Sequence, residues 1–322
     1  MNEMKILIAY DGSSHADAAL DDLARAGLPR EVEALVISVA DVMMWQTPDE
    51  DDGTSRAEGL DIIGLKKARE QSAQAVEEAR HLAVQTSERL KAAFPSWKVE
   101  AEGYGDSPAW AVIKRAGEWG ADLIVVGSQG RSALSRLMLG SVSQKVLYEA
   151  PCSVRVARGV TREENSPLRI IIGVDGSSDS EAALNAVAAR DWPRGTEARV
   201  IAVHSPLTLL AFSHFIRPVA LASRQYIEDK GLFAQEIVDT SVERLRGVGL
   251  IASPLVKEGD PKHELIGEAE QWGADCIFVG ARGLRGIERF LLGSVSSSVA
   301  ARAHCSVEVV RAPGALSKSM NS

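Results

Sequence analysis

Two glycine-rich segments with the same spacing contain the residues best suited to chemistry in this chain. The first reads Gly127-Ser-Gln-Gly130, nine residues, Gly140-Ser141, and the second reads Gly280-Ala-Arg-Gly283, nine residues, Gly293-Ser294. Glycine allows positive φ and a close approach of the main chain to a ligand. Each segment follows a short apolar run and precedes a helix-like stretch, whose free N–H groups and dipole favour an anion. The pattern therefore predicts loops that bind phosphate groups.

A structural alternative exists for each of these glycines. Gly127 and Gly280 could merely end strands, while Gly140 and Gly293 could merely allow tight helix packing. The duplicated spacing favours phosphate binding, because a packing requirement alone does not demand the same pattern twice. The second loop has Arg282 where the first has Gln129, so it is more basic and is expected to bind anions more tightly.

The duplication extends over the whole chain, as the order of matching segments shows. Asp11-Gly-Ser-Ser14 matches Asp175-Gly-Ser-Ser178, and Trp-Gly-Ala-Asp follows at 119–122 and again at 272–275. The two aspartates are candidates for ligand contact, although Asp-Gly-Ser-Ser also suits a turn or a helix cap. Ser141 and Ser294 are expected to be N-cap residues, so their conversion to Ala would cost helix stability.

Length and charge limit the classes of protein to consider. The 322 residues suit two domains, predicted at 1–157 and 168–312, with a linker at 158–167 and a flexible tail at 313–322. An acidic stretch at 47–58 reads as a solvated loop of the first domain. The net charge of -8 argues against nucleic acid and anionic membranes as partners.

The apolar segments are too short for a membrane span or a signal peptide, so a cytoplasmic location is expected. The chain has three cysteines, Cys152, Cys276 and Cys305, which fit a reducing compartment. They are expected to be buried free thiols. No spacing of metal ligands occurs, so no metal site built from the protein alone is predicted.

Apolar runs alternate with amphipathic stretches in each half, which predicts parallel sheets covered on both faces. Strands are predicted at 5–10, 33–39, 98–103, 122–126 and 153–156, and at 169–174, 198–203, 250–258, 276–279 and 306–310. Helices are predicted in the first half at 14–26, 62–94, 107–118 and 141–149, and the second half repeats this plan. Pro206 and Pro218 leave the start of its second helix open.

On these motifs each half resembles a universal stress protein domain, and the chain resembles a tandem universal stress protein. The resemblance covers both halves except the acidic stretch and the tail after Arg311. It implies an α/β fold with two Rossmann-like domains of the adenine nucleotide α-hydrolase-like type. Each would be an open five-stranded parallel sheet of order 3-2-1-4-5 with helices on both faces. Nucleotide would bind at the carboxyl ends of the strands, where open α/β sheets generally bind ligands.

The resemblance implies one ATP site in each half. Asp11 would hold the ribose hydroxyls or the adenine edge, the backbone of Val39 would meet the adenine, and the glycine loop would surround the phosphates. The first candidate set is Ala9, Asp11, Val39, Val126, Gly127, Gln129, Gly130, Gly140, Ser141, Val142 and Ser143. The second is Gly173, Asp175, Val203, Val279, Gly280, Arg282, Gly283, Gly293, Ser294, Val295 and Ser296. Mg²⁺ would accompany the triphosphate, although the sequence has no dedicated carboxylate cage for it.

The function implied is that of an ATP-binding, stress-response regulatory protein with an unidentified protein partner. No catalytic residue is assigned, and at most a weak ATPase activity is expected. The motifs Ser-Gly-Gly-x-Asp-Ser, His-x-Gly-His and Gly-x4-Gly-Lys-Ser/Thr do not occur. Two alternatives stay open: a slow nucleotide hydrolase of the same superfamily, and a nucleotide-free scaffold for protein contacts.

The resemblance also implies how the two halves assemble. Strand 153–156 would run antiparallel to strand 306–310, which makes the chain a built-in pseudo-dimer. Covalent linkage favours such docking by raising the effective concentration of the two faces. Pairing also covers two sheet edges. Further association of two chains into a homodimer is left open.

Overall fold

The computed structural model of the chain describes residues 3–42, 62–130, 139–159, 166–204, 217–283 and 292–312. Side chains are described from residue 67 in the second of these ranges and from residue 231 in the fifth. The predictions for the acidic stretch 47–58, for Pro206, for most of the linker and for the tail 313–322 therefore lie outside the described residues.

Ten strands form one sheet in the described part of the chain. Those of the first half are β1 (Met4–Ala9), β2 (Val32–Ala40), β3 (Lys98–Gly105), β4 (Leu123–Gly127) and β5 (Ser153–Ala157). Those of the second half are β6 (Arg169–Val174), β7 (Glu197–His204), β8 (Ile251–Glu258), β9 (Cys276–Gly280) and β10 (Ser306–Val310). Every predicted strand is present, with its ends shifted by no more than two residues.

In the described ranges, four helices flank the strands of each half. They are α1 (Ser14–Leu23), α2 (Ile62–Ala93), α3 (Pro108–Trp119), α4 (Ser141–Glu149), α5 (Ser178–Ala188), α6 (Arg217–Gly247), α7 (Pro261–Trp272) and α8 (Ser294–Arg302). Helix α1 ends three residues before its predicted end, because the chain turns there toward Gly27, which has φ of 62°. Helices α3 and α7 end at Gly120 and Gly273, whose left-handed backbone terminates them.

The strand order across the sheet is β3-β2-β1-β4-β5-β10-β9-β6-β7-β8. Within each half the order is therefore 3-2-1-4-5 with parallel pairing, which confirms the predicted fold class. Strands β5 and β10 pair antiparallel, with Arg155 directly opposite Glu308. We call this β5–β10 junction the seam. Because of it, the complete sheet is mixed although each half is parallel.

The core is organised differently on the two faces of the sheet. On one face a single apolar cluster runs across the seam and includes Val154 and Val156 of β5 together with Val307 and Val309 of β10. On the other face each half has its own cluster. Side chains of a strand alternate between faces, so Arg155 and Glu308 project to the face where the core is interrupted. The two halves thus share one core layer and are separated in the other.

Candidate functional site

The candidate residues meet where the strand order reverses. In the first half β1 lies beside β4, with Ile8 opposite Val125, and the chain leaves these two strands toward opposite sides of the sheet. The end of β1 and the loop 127–130, here called the first loop, therefore lie side by side. Strands β6 and β9 place the end of β6 beside the second loop, residues 280–283, in the same way. Open α/β sheets bind ligands at such switch points.

Asp11 and Gly130 are brought into contact by this arrangement. One carboxylate oxygen of Asp11, Oδ1, accepts a hydrogen bond from the main-chain N–H of Ser13 at 3.0 Å. The other, Oδ2, lies so close to Gly130 that a Cβ added there would be 2.9 Å away. Asp11 is thus a turn residue and also a neighbour of the first loop, so the two interpretations of this aspartate are compatible.

The second half repeats this contact. Asp175 Oδ1 accepts a hydrogen bond from Ser177 N at 3.0 Å. A Cβ added to Gly283 would lie 2.6 Å from Asp175 Oδ2. In both halves, therefore, the second glycine of the loop is the one that leaves room beside the aspartate.

The first glycine of each loop has a packing role. A Cβ at Gly127 would lie 2.7 Å from the carbonyl oxygen of His15, in the first turn of α1. A Cβ at Gly280 would lie 2.5 Å from the carbonyl carbon of Asp179, in the first turn of α5. Main-chain atoms do not yield readily to such an overlap. Packing against the start of a helix, together with their position at the ends of β4 and β9, therefore accounts for these two glycines without a ligand.

The N-cap prediction for Ser141 and Ser294 is wrong. The N-cap residues are Gly140 and Gly293, with extended backbone, and neither helix has a side-chain cap hydrogen bond. Each helix begins one residue after the N-cap, so the two serines already belong to the first turn, where they are exposed. Helices α1 and α5, in contrast, are capped by Ser13 and Ser177. The first-turn N–H groups of α4 and α8 thus donate no hydrogen bond to an N-cap side chain.

Close main-chain contacts hold these two helix starts against the loops. Gly140 N donates to Ser128 O at 2.9 Å, and Gly293 N donates to Ala281 O at 2.8 Å. A Cβ at Gly140 would lie 3.3 Å from Gln129 Cα. This third glycine of each motif therefore sets the distance between the loop and the start of the helix.

Buried hydroxyl groups reinforce the same contact. Ser143 Oγ donates to Gly127 O at 2.6 Å, and Ser296 Oγ donates to Ala281 O at 2.9 Å. In this conformation both hydroxyl protons are used to hold the loop. Their neighbours Val142 and Val295 pack partly against the shared apolar cluster. The phosphate contacts predicted for these four residues stay a prediction.

The remaining candidates lie around the same sheet edge. Ala9 ends β1 and corresponds to Gly173 near the end of β6, while Val126 and Val279 immediately precede the loops. Val39 and Val203 lie one strand further out, near the ends of β2 and β7, and pack partly against the shared cluster. The structure therefore brings each candidate set to the carboxyl ends of the strands of its half. Val39 and Val203 lie farthest from the strands that lead into the loops, β4 and β9.

Arg282 has a partner that the sequence analysis missed. Asp179 accepts hydrogen bonds from Arg282 Nε at 2.8 Å and Nη2 at 3.1 Å, and from its main-chain N–H at 3.0 Å. This bonding to Asp179 raises the pKa of the Arg282 guanidinium. The expectation of tighter anion binding at the second loop loses its basis, because Asp179 neutralises the added charge. The sequence held a signal for this pair, because Asp179 and Arg282 both differ in charge from their counterparts in the first half, His15 and Gln129.

Metal ligation and thiol chemistry find no support among the described residues. No group of three or more His, Cys, Asp or Glu side chains is arranged there to hold a metal ion. All three cysteines are free, and burial raises the pKa of Cys152 and of Cys276 to about 12. Protonated thiols are poor nucleophiles.

No helix in the described ranges has the length and apolar character needed to cross a membrane.

Comparison with known proteins gives a consistent result. The sequence model of the Universal stress protein family matches residues 3–158 and again residues 168–311. A universal stress protein of Mycobacterium tuberculosis strain H37Rv is 28% identical over 324 residues, covering 95% of this chain and 96% of its own. One from Methanocaldococcus jannaschii is 35% identical over 155 residues, covering 47% of this chain and 85% of its own.

A solved structure also matches over nearly the whole length. The crystal structure of a universal stress protein from Archaeoglobus fulgidus gives a TM-score of 0.61 at 20% sequence identity. The match covers 97% of this chain and 99% of that one. At this level of identity the likeness concerns the fold alone.

Proposed function

The chain belongs to the universal stress protein family, with one family match in each half, and from that premise we propose that it is an ATP-binding regulatory protein of the stress response. One observation carries the proposal. In both halves a glycine loop lies between an aspartate carboxylate and the start of a helix that has no side-chain cap. Binding, with little or no turnover, is the activity that this arrangement favours.

The two sides of each loop suit the two ends of a nucleotide. A carboxylate such as Asp11 accepts hydrogen bonds from ribose hydroxyls, as acidic residues do in dinucleotide-binding folds. The N–H groups that open α4, aided by the helix dipole, attract phosphate oxygens. Asp175 and α8 offer the same pair of groups in the second half. A ligand with hydroxyl groups at one end and a polyanion at the other satisfies both.

A divalent ion would enter with the phosphates. Mg²⁺ commonly uses one or two carboxylates together with phosphate oxygens and water, and does not require an all-protein cage. The described residues hold no such cage. Mg²⁺ would therefore be held mainly by the phosphates of bound ATP, whose negative charge it would screen.

Catalysis is not favoured by the groups described at the loops. The hydroxyl of Ser143 already donates a hydrogen bond to Gly127 O, and one carboxylate oxygen of Asp11 already accepts one from the main-chain N–H of Ser13. General base catalysis requires a titratable group within hydrogen-bond reach of the attacking water. We therefore propose that the protein changes its interactions when ATP is bound, and that an unidentified partner protein recognises the ATP-bound form.

Calorimetric titration of the full-length protein with ATP, with and without Mg²⁺, tests this proposal. Gly130→Val and Gly283→Val each place a side chain against an aspartate carboxylate, so each variant is expected to lose ATP binding in its own half only. Gly267→Val in α7 is the matched control, because a Cβ there meets nothing within 4 Å.

Two results would contradict the proposal. Absence of binding at millimolar ATP would favour the nucleotide-free scaffold. ATP turnover that one side-chain change abolishes, with binding retained, would favour the hydrolase.

A further inference from the structure

We propose that Asp179 and Arg282 make the second loop the weaker of two unequal polyphosphate sites. This inference rests on the proposed function, because it concerns how the two halves divide the binding of ATP. It reverses the expectation from the sequence, in which the additional arginine strengthens the second site. The physical basis is competition: in the second half a protein carboxylate already occupies donors that a phosphate would need.

Asp179 acts as an internal anion at the second loop. Its side chain is only 2% exposed and lies in the first turn of α5. It receives the main-chain N–H of Arg282 and two guanidinium N–H groups, at 2.8 to 3.1 Å. Charge-assisted hydrogen bonds of this kind are about twice as strong as neutral ones. A phosphate oxygen can use these donors only after displacing the carboxylate.

A second contact holds the same loop residue. Ser177 Oγ donates to Arg282 O at 3.3 Å, while also accepting the capping hydrogen bond of α5. The N–H, the C=O and the side chain of Arg282 are thus all attached to the start of α5. Rearrangement of the second loop around a ligand would have to break these bonds.

The first half has a different pair at the matching positions. Counting from Asp11 and Asp175 places His15 opposite Asp179, and counting from Gly127 and Gly280 places Gln129 opposite Arg282. A glutamine has no charge to pair with, and histidine is not an anion. The surrounding aspartate and glycines are the same in both halves. Among the positions that differ between the two halves, these two touch each other in the second half, which indicates one coupled difference.

The difference in affinity between the two sites is expected to depend on whether the ligand carries phosphate groups. ATP is expected to bind the first site on the order of tenfold or more tightly than the second, since phosphate binding at the second loop must displace charge-assisted hydrogen bonds. Adenosine has no phosphate to compete with Asp179, so its affinity for the two sites is expected to be similar. The discrimination should therefore grow with the number of phosphates.

Calorimetry on full-length single-site variants tests this inference. Gly283→Val leaves the first site and Gly130→Val leaves the second, and the ATP affinity of the second is expected to be lower. In the Gly130→Val background, Asp179→His with Arg282→Gln should raise ATP affinity about tenfold. In the Gly283→Val background, His15→Asp with Gln129→Arg should lower it by a similar factor. Arg244→Gln, which removes an exposed ion pair with Glu181 on α5, should change neither affinity.

The isosteric change Asp179→Asn provides an independent readout. It keeps the shape of the side chain but releases the charge of Arg282, so ATP affinity at the second site should rise while adenosine affinity stays constant. Equal ATP affinities at the two sites, unaltered by Asp179→Asn or by the exchanges, would overturn the inference and leave the proposed function intact. No ATP binding by the unmodified protein would instead overturn the proposed function.

Discussion

Ser141 and Ser143 stand two residues apart at the start of α4 and have different environments. Ser143 is buried and donates to Gly127 O, whereas Ser141 is exposed in the first helical turn. The sequence suggested a stabilising role for Ser141, since serine before an amphipathic stretch is a common N-cap. Which of two nearby serines finds a partner depends on where the helix begins and where the loop passes.

Ser143→Ala is therefore expected to destabilise the protein, and Ser141→Ala is not. Removing the buried hydroxyl leaves the carbonyl of Gly127 without this donor, which costs about 1–3 kcal/mol of unfolding free energy. The exposed change should stay within about 0.5 kcal/mol. Urea denaturation of both variants measures the difference. A larger loss for Ser141→Ala would show that the hydroxyl of Ser141 does cap the helix.

The carboxylate of Glu102 makes stability depend on pH. It accepts hydrogen bonds from Arg115 Nε at 2.8 Å and Nη2 at 2.7 Å. Bonding to Arg115 lowers the pKa of Glu102 from its ordinary 4.5. Because the folded state favours the ionised form, this carboxylate stabilises the fold above the unfolded pKa. The contribution is lost as the pH falls through the lower folded value.

Glu102→Gln tests this dependence. The substitution should destabilise the protein at about pH 6, and the difference from the unmodified protein should shrink as the pH falls through the lowered pKa of Glu102. Denaturation curves measured across that range provide the comparison. A difference that stays constant with pH would mean that packing, and not charge, explains the effect.

At the scale of elements, the seam contains a pair of residues that distinguishes the two halves. Arg155 and Glu308 lie directly opposite each other and also occupy equivalent positions of the duplication. Pairing of two identical halves would thus place two arginines or two glutamates together. Arg155 Nε also bonds Asp22 at 2.6 Å, and Glu308 also bonds Arg190. Both seam side chains are almost fully buried, so like charges there would be costly.

Arg155→Met is expected to cost about 3–5 kcal/mol of unfolding free energy, because it leaves Asp22 and Glu308 buried with fewer partners. Arg155→Met combined with Glu308→Met should cost less than the sum of the two single changes. A double-mutant cycle by chemical denaturation gives this coupling. Arg244→Gln, at an exposed pair, should cost no more than about 1 kcal/mol. Strict additivity would show that Arg155 and Glu308 do not interact.

At the scale of the whole molecule, an arginine of each half donates a hydrogen bond to the C-terminal turn of a helix in the other half. Arg158, just after β5, donates to Ala300 O in α8 at 2.6 Å. Arg311, just after β10, donates to Leu147 O in α4 at 2.9 Å. Cations at a helix C-terminus are favourable because of the helix dipole. Since α4 and α8 begin at the two loops, both helices that face the candidate sites end on the opposite half.

Arg158→Met and Arg311→Met should therefore weaken the docking of the halves. Each loses hydrogen bonds from a largely buried guanidinium, at a cost of about 1–3 kcal/mol. Arg302→Met is the matched control, since Arg302 lies exposed in the last turn of α8. Thermal unfolding should show lower transition temperatures for both seam variants than for the control. Equal behaviour of Arg158→Met and Arg302→Met would mean that the contact across the seam adds no stability.

The amino-acid sequence by itself determined the elements, the duplication and the place of both loops. These features are local: strand and helix periodicity, glycine spacing and repeated motifs are visible within short segments. Only the tertiary structure decided which groups become partners. Asp179 and Arg282 are 103 residues apart, and Arg155 and Glu308 are 153 apart. Their contacts depend on the register of strands and on which helix turn packs against a loop, and nearby sequence does not specify either.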